Sequence, residues 1–159
     1  MGLRAFKQPK DEQGMALVEF TLILPLLLLL LLALGEFGRM LFQYNTLLQA
    51  SRDAGRYVAS QAWNSTLGTV ALSSTLQTNT KNVAVYGVPA NTGTAVVSGL
   101  TTANVAVSAL GTDHVQVTIT YTFCPVIGAG NCTGSISGLF PTPIALSIPL
   151  VATTVMRVL

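Results

Sequence analysis

The chain has 159 residues, half of them hydrophobic and only 9% charged, with a mean hydropathy of +0.59 and a formal net charge of +2. An average soluble domain carries about 25% charged residues, so an ordinary water-soluble globule is excluded, and a disordered chain would need high net charge with few apolar groups. The small net charge leaves no footprint for nucleic acid, and the length allows one membrane segment plus one domain of roughly 100 residues.

Residues 1–14, MGLRAFKQPKDEQG, hold Arg4, Lys7 and Lys10 and no sustained apolar run. Residues 15–34, MALVEFTLILPLLLLLLLAL, carry a single charge, Glu19. As a helix those residues span about 30 Å, the thickness of a bilayer core. A basic stretch ahead of an apolar core is the layout of an export signal or signal anchor, with the basic leader on the cytoplasmic side. Arg39, Arg52 and Arg56 beyond the segment weaken that charge asymmetry.

Glu19 in mid-bilayer would cost about 2.5–3.5 kcal/mol, which calls for a partner. Cleavage after Gly14 would leave an α-amine on Met15, one helical turn from Glu19 and favoured by the helix dipole. In an assembly the amine can come from a neighbouring subunit instead; in an uncut anchor Glu19 would reach for the interface. Pro25 removes one backbone hydrogen bond and is expected to kink the helix near Thr21. Ala33-Leu34-Gly35 loosely fits a signal peptidase site, whose cleavage would release everything downstream.

Past Leu34, Phe37, Leu41, Tyr44, Leu48, Ser51, Gly55, Val58 and Ala62 recur at spacings of three and four, with Arg39, Gln43, Asn45, Gln49, Arg52 and Arg56 largely off that stripe. This amphipathic pattern predicts one helix from about residue 15 to 62, roughly 70 Å long. Ala50, Ser51, Ala54, Gly55 and Ala59 permit close approach of another element, either the chain's own domain or a neighbouring helix. Glu36 and Arg39 are spaced to pair across one turn.

Gly14 followed by Met-Ala-Leu-Val-Glu resembles a type IV prepilin processing site. The longer run GMALVEFTLILPLLLLLLLALGEFGRMLFQYNTLLQASRDAGRYVA resembles the TadE-like family of pseudopilins in its ALVEF opening, its Pro within the apolar run, its EFGR exit and its Ser-Arg-x-Ala-Gly-Arg-Tyr segment. The likeness is close over residues 13–60 and looser over 146–157. It implies a minor-pilin-like component of a tight-adherence (Tad) pilus system, held in a bacterial inner membrane with its C-terminal domain outside the cytoplasm. The implied partners are a prepilin peptidase, for which the chain is substrate, other pilins and assembly proteins, and membrane lipid. By the same resemblance Gly14 precedes the cut, Met15 becomes the new terminus, and Glu19 is the recognition and assembly carboxylate. Met15 replaces the Phe that many type IV pilins carry there, which bears on N-methylation of the new terminus.

Beyond residue 64 only Lys81, Asp113 and Arg157 are charged, Ser and Thr abound, and the periodicity turns from helical to alternating. Val115, Val117, Ile119, Tyr121 and Phe123 fall on one face of a strand and Gln116, Thr118, Thr120 and Thr122 on the other. Leu146, Ile148, Leu150, Ala152 and Met156 repeat the alternation, with Pro149 marking an edge or bulge. Residues 83–86 and 105–107 read as shorter strands between turn signals at 87–89, 91–93 and 111–113. Residues 64–82 are open between helix and loop. The expected fold class is α+β: a leader at 1–14, a transmembrane helix at 15–34, its amphipathic extension at 35–62, and a β-rich, mostly antiparallel domain at 63–159 packed on that extension.

Cys124 and Cys132, the only cysteines, bracket a short loop. In an exported domain they most simply form one disulfide, contributing about 2–3 kcal/mol by the chain-entropy model. Their spacing and the lone histidine do not suit a metal site. His114 beside Asp113 reads as a turn histidine, since no particular Ser is selected to complete a triad. Paired carboxylates and a phosphate-binding glycine loop are missing as well, so no enzyme, cofactor, metal or small-molecule substrate is expected. Asn64-Ser-Thr and Asn131-Cys-Thr match the glycosylation sequon, a short motif that arises by chance. The competing function is a signal-anchored or secreted β-rich binding module in which Glu19 is incidental.

Overall fold

A computed structural model describes residues 11–126, 135–136, 144–145 and 147–158, with side chains over 14–126 and 147–158. The chain divides into two compact units, one ending at Gly38 and the other beginning at Arg39. The fold is α+β, with a long apolar N-terminal helix followed by small antiparallel sheets.

In the first unit, helix α1 (Asp11–Ala59) begins and runs unbroken through Pro25. Its side chains from Gly14 to Leu34 are exposed apart from Leu24, which is partly buried. Only lipid or other apolar partners could cover so many leucines without an unfavourable water contact. Thr21 Oγ1 donates to Val18 O at 2.8 Å, a local bond that takes a hydroxyl out of the apolar surroundings.

The second unit holds the remainder of α1 and everything after it. Strands β1 (Trp63–Asn64) and β2 (Thr69–Val70) form a small hairpin. Helix α2 (Ser74–Tyr86) follows, then strands β3 (Val105–Leu110) and β4 (His114–Phe123), a short pair β5 (Ser135–Ile136) and β6 (Ile144–Ala145), and β7 (Ile148–Arg157). The main sheet has the order β3-β4-β7, antiparallel throughout, with β4 in the middle. Val115, Val117, Ile119 and Phe123 are buried on the inner face of β4, as strict alternation dictates. Leu150 and Ala152 continue that face on β7, while Thr153 and Val155 point outward. Ile148, expected on the inner face, is exposed at the strand's first position. Leu146 lies outside the described residues.

Residues 83–86, expected as a strand, are the last turn of α2. Leu76, Thr80, Val83 and Ala84 are buried at helical spacing, and the four-residue window that suggested alternation was too short to separate the two periods. Local chemistry closes both ends. Ser73 Oγ accepts from Leu76 N–H at 3.2 Å, and Gly87 adopts φ 76°, a left-handed cap open to glycine, while donating to Val83 O at 2.9 Å.

The buried face of α1 keeps Ser51, Gly55 and Val58 of the expected stripe but is broader and starts later. Leu47, Ala50, Ser51, Ala54, Val58 and Ala59 are buried against the sheet, Tyr44 and Leu48 are partly buried, and Leu41 is exposed. The helix ends at Ala59, three residues before the expected limit, and Ala62 is buried in the turn beyond it.

Candidate functional site

Two regions carry the residues singled out in the sequence. The first is the start of α1. Gly14, Met15, Val18, Glu19 and Leu22 lie on one exposed face, at positions three to five apart along the helix. Met15 is therefore one turn from Glu19, the spacing an amine–carboxylate contact requires. A Cβ on Gly14 would meet nothing within 4 Å, so among the described residues no packing demands glycine there. Among the described residues, one helix is long and apolar enough to cross a membrane, with a mean hydropathy of 2.7 in its most apolar window and none of that window buried.

The second region is where α1 lies on the sheet in the second unit. Arg39 Nη2 donates to Cys124 O at 2.7 Å, and its guanidinium stands 4.5 Å from the centroid of the Phe123 ring. This fork is a bond from a charged donor together with a cation–π contact. Farther along, Ser51 Oγ and Thr154 Oγ1 share a hydrogen bond of 2.8 Å. At Gly55 an added Cβ would sit 3.3 Å from Thr154 Cγ2 and 3.4 Å from Met156 Sδ. The small residues Ser51 and Gly55 thus receive the chain's own β7. Arg52 and Arg56, between and beside them, point away from the sheet and are exposed. The sequence displayed the small residues and the arginines, but not Phe123 and Cys124 as the seat for Arg39, because the two segments lie 85 positions apart.

His114 is held in a clamp at the turn between β3 and β4. Its Nδ1 lies 2.7 Å from Asp113 Oδ1, while Arg157 Nε donates to Asp113 Oδ2 at 3.2 Å. Val158 N–H donates to Asp113 O at 2.8 Å, so one residue ties the turn to the end of β7 on both its backbone and its side chain. Asn64 spends its side-chain oxygen on the N–H groups of Thr66 and Leu67, at 3.0 and 3.1 Å, closing the β1–β2 turn. Cys132 and Asn131 lie outside the described residues, and no group of three or more metal-ligating side chains occurs among the described ones.

A long exposed apolar helix joined to a small α+β unit defines a class: proteins with one candidate membrane span and one folded domain beyond it. Within that class the sequence itself is specific. The family model described as TadE-like protein matches residues 14–56, so that stretch of the chain is similar to TadE-like proteins. No curated protein and no solved structure matches the chain. The matched residues run from the Glu19 face, through Arg39, to Arg56, and they end before the sheet begins.

Proposed function

We propose that this protein is a minor-pilin-like structural subunit of a Tad-type pilus apparatus, anchored in the inner membrane by α1 with its second unit outside the cytoplasm. The observation that carries this reading is the coincidence of the TadE-like match with an apolar helix whose side chains are exposed among the described residues. Its mechanism is lateral packing of the apolar half of α1 against other pilins and lipid. A prepilin peptidase cuts after Gly14, and the Met15 amine neutralises Glu19 within or between subunits. Glycine at 14 answers to the peptidase, in keeping with the open space around it. Cys124 and Cys132 form a disulfide next to the seat of Arg39.

The test is intact mass and N-terminal sequencing of the protein from native membranes. A chain starting at Met15 and, without reductant, lighter by two hydrogens is expected. A retained Met1, or a start near Glu36 after cleavage at Gly35, would refute the pilin reading and favour a secreted module. Glu19→Ala should insert and fold normally yet fail to enter the complex; normal incorporation and surface adhesion would remove the carboxylate from the mechanism.

A further inference from the structure

The sheet order leaves β7 at an edge, and the ladder tells which of its backbone groups are spare. Val158 N–H bonds directly to Asp113 O, so 158 and 113 are a hydrogen-bonded pair, and such pairs alternate along an antiparallel ladder. Leu150, Ala152, Thr154 and Met156 therefore bond to β4, while Val151, Thr153 and Val155 turn their N–H and C=O groups to the free edge. Pro149 fits this phase, because its missing donor falls on the outer side. By the same count Val107 and Ala109 face outward on β3, the opposite edge. Among the described residues no backbone group bonds either set.

Edges of folded sheets are blunted by charge, proline, bulges or shortness. From Leu150 to Met156 this edge has none of these: the register with β4 is continuous, and Val151, Thr153 and Val155 are exposed and uncharged. Such a row accepts one kind of partner, an extended strand.

Strand polarity selects which strand. Arg39 of α1 sits at Phe123, the far end of β4, and Gly55 sits at Met156, which pairs with Val115 near its start. The helix in this unit therefore runs antiparallel to β4 and in the same sense as β3 and β7. A symmetric β7–β7 pairing is antiparallel and would reverse the helix between partners. Chains anchored by α1 in one membrane, as in the reading above, run in the same sense and cannot pair that way. Edge β7 against edge β3 of a neighbour is parallel and keeps every helix aligned. With Thr153 set beside Ser108, the outward side chains of both strands stay on one face, and no charges oppose one another along the pair. In that register Arg157 falls opposite the neighbour's Thr112, in the turn just past β3, and stays paired with Asp113 of its own chain.

We infer that β7 of one copy pairs in parallel with β3 of a second copy of this chain, extending the sheet from subunit to subunit. The contact is heterologous, so it propagates into a ring or an open filament rather than closing as a dimer.

The experiment places a photocrosslinking residue at Thr153 of the full chain in native membranes and maps the adducts by mass spectrometry. A ladder of dimer, trimer and higher species joined to residues 105–110 is expected. Adding Val155→Pro, whose lost donor faces the edge, should abolish the ladder while leaving the Trp63 fluorescence of the folded unit and processing of the leader unchanged; Val151→Pro should do the same. Adducts within β7 of another copy, adducts to a different protein, a ladder that survives both prolines, or no adducts at all would each overturn the proposal. Failure here with normal processing and Glu19 dependence would leave the pilin reading standing.

Discussion

Replacing Gly55 tests the packing of α1 on the sheet most directly. An alanine Cβ would stand 3.3 Å from Thr154 Cγ2, 3.4 Å from Met156 Sδ and 3.5 Å from Met156 Cε. Two of those atoms end a flexible, partly buried methionine that can give by a few tenths of an ångström. Alanine also gains about 1 kcal/mol over glycine in a helix interior. Gly55→Ala should therefore fall between neutral and about 1 kcal/mol more stable. Gly55→Leu adds three further carbons where β7 already touches the helix, and overpacking costs about 1–3 kcal/mol. Displacing the helix there also stretches the Ser51–Thr154 bond one turn away, a loss of about 1 kcal/mol. Net of the helix gain, the leucine variant should lose about 2 kcal/mol. With a urea slope of about 1–2 kcal/mol/M, its midpoint should fall by about 1–2 M. The full chain in detergent provides the assay, since Trp63 is the sole tryptophan and lies just beyond α1 in the folded unit. A leucine variant that unfolds at the wild-type urea concentration would refute the contact between α1 and β7.

Arg39→Lys keeps the charge but not the planar fork, so the bond to Cys124 O and the stacking on Phe123 weaken together. The same urea titration should show a loss of about 1–2 kcal/mol, and an unchanged midpoint would mean that Arg39 does not anchor the helix. Gly87→Ala forces a side chain into the left-handed conformation that closes α2, at a cost of about 1–2 kcal/mol. Gly87→Asn, better tolerated there, should recover part of that loss, and equal stability of all three proteins would contradict the cap.

Strand β4 was legible because alternation over ten residues leaves only one face to bury, and its apolar side chains from Val115 to Ile119 went where the pattern put them. The long apolar helix was legible for a similar reason, as a run of leucine needs no tertiary partner to be recognised. Residues 83–86 misled because Val-Ala-Val satisfies a strand over four positions, and Ser73 and Gly87, the residues that bound a helix, lie outside that window. The buried stripe of α1 was legible from Tyr44 onward but not before it. Leu47, fully buried, was not on the expected stripe, and Leu41, which was, is exposed, while Ser51, Gly55, Val58 and Ala62 are buried where the spacing put them. The seat of Arg39 had no sequence signal, since a carbonyl oxygen offers the same acceptor at every residue and only the fold decides which one is near.

What covers the small residues of α1 bears on function. The small residues from Ala50 to Ala59 suit a close helix–helix approach, and the sequence leaves open whether the second helix belongs to another subunit. In the structure Ser51 and Gly55 are already in contact with Thr154 and Met156, so this face is taken by the chain's own sheet. What remains for neighbours on α1 is the exposed apolar surface from Met15 to Leu34, with Leu41 and Phe42 beyond it. On the proposed reading, folding and assembly draw on different residues of one helix, although the TadE-like match spans both. Gly55→Leu should lower the amount of folded protein while the surviving fraction still assembles. Glu19→Ala should leave the urea midpoint of the folded unit unchanged and yet lose assembly. If instead both variants failed in the same assay, the division of α1 into a packing half and an assembling half would be wrong.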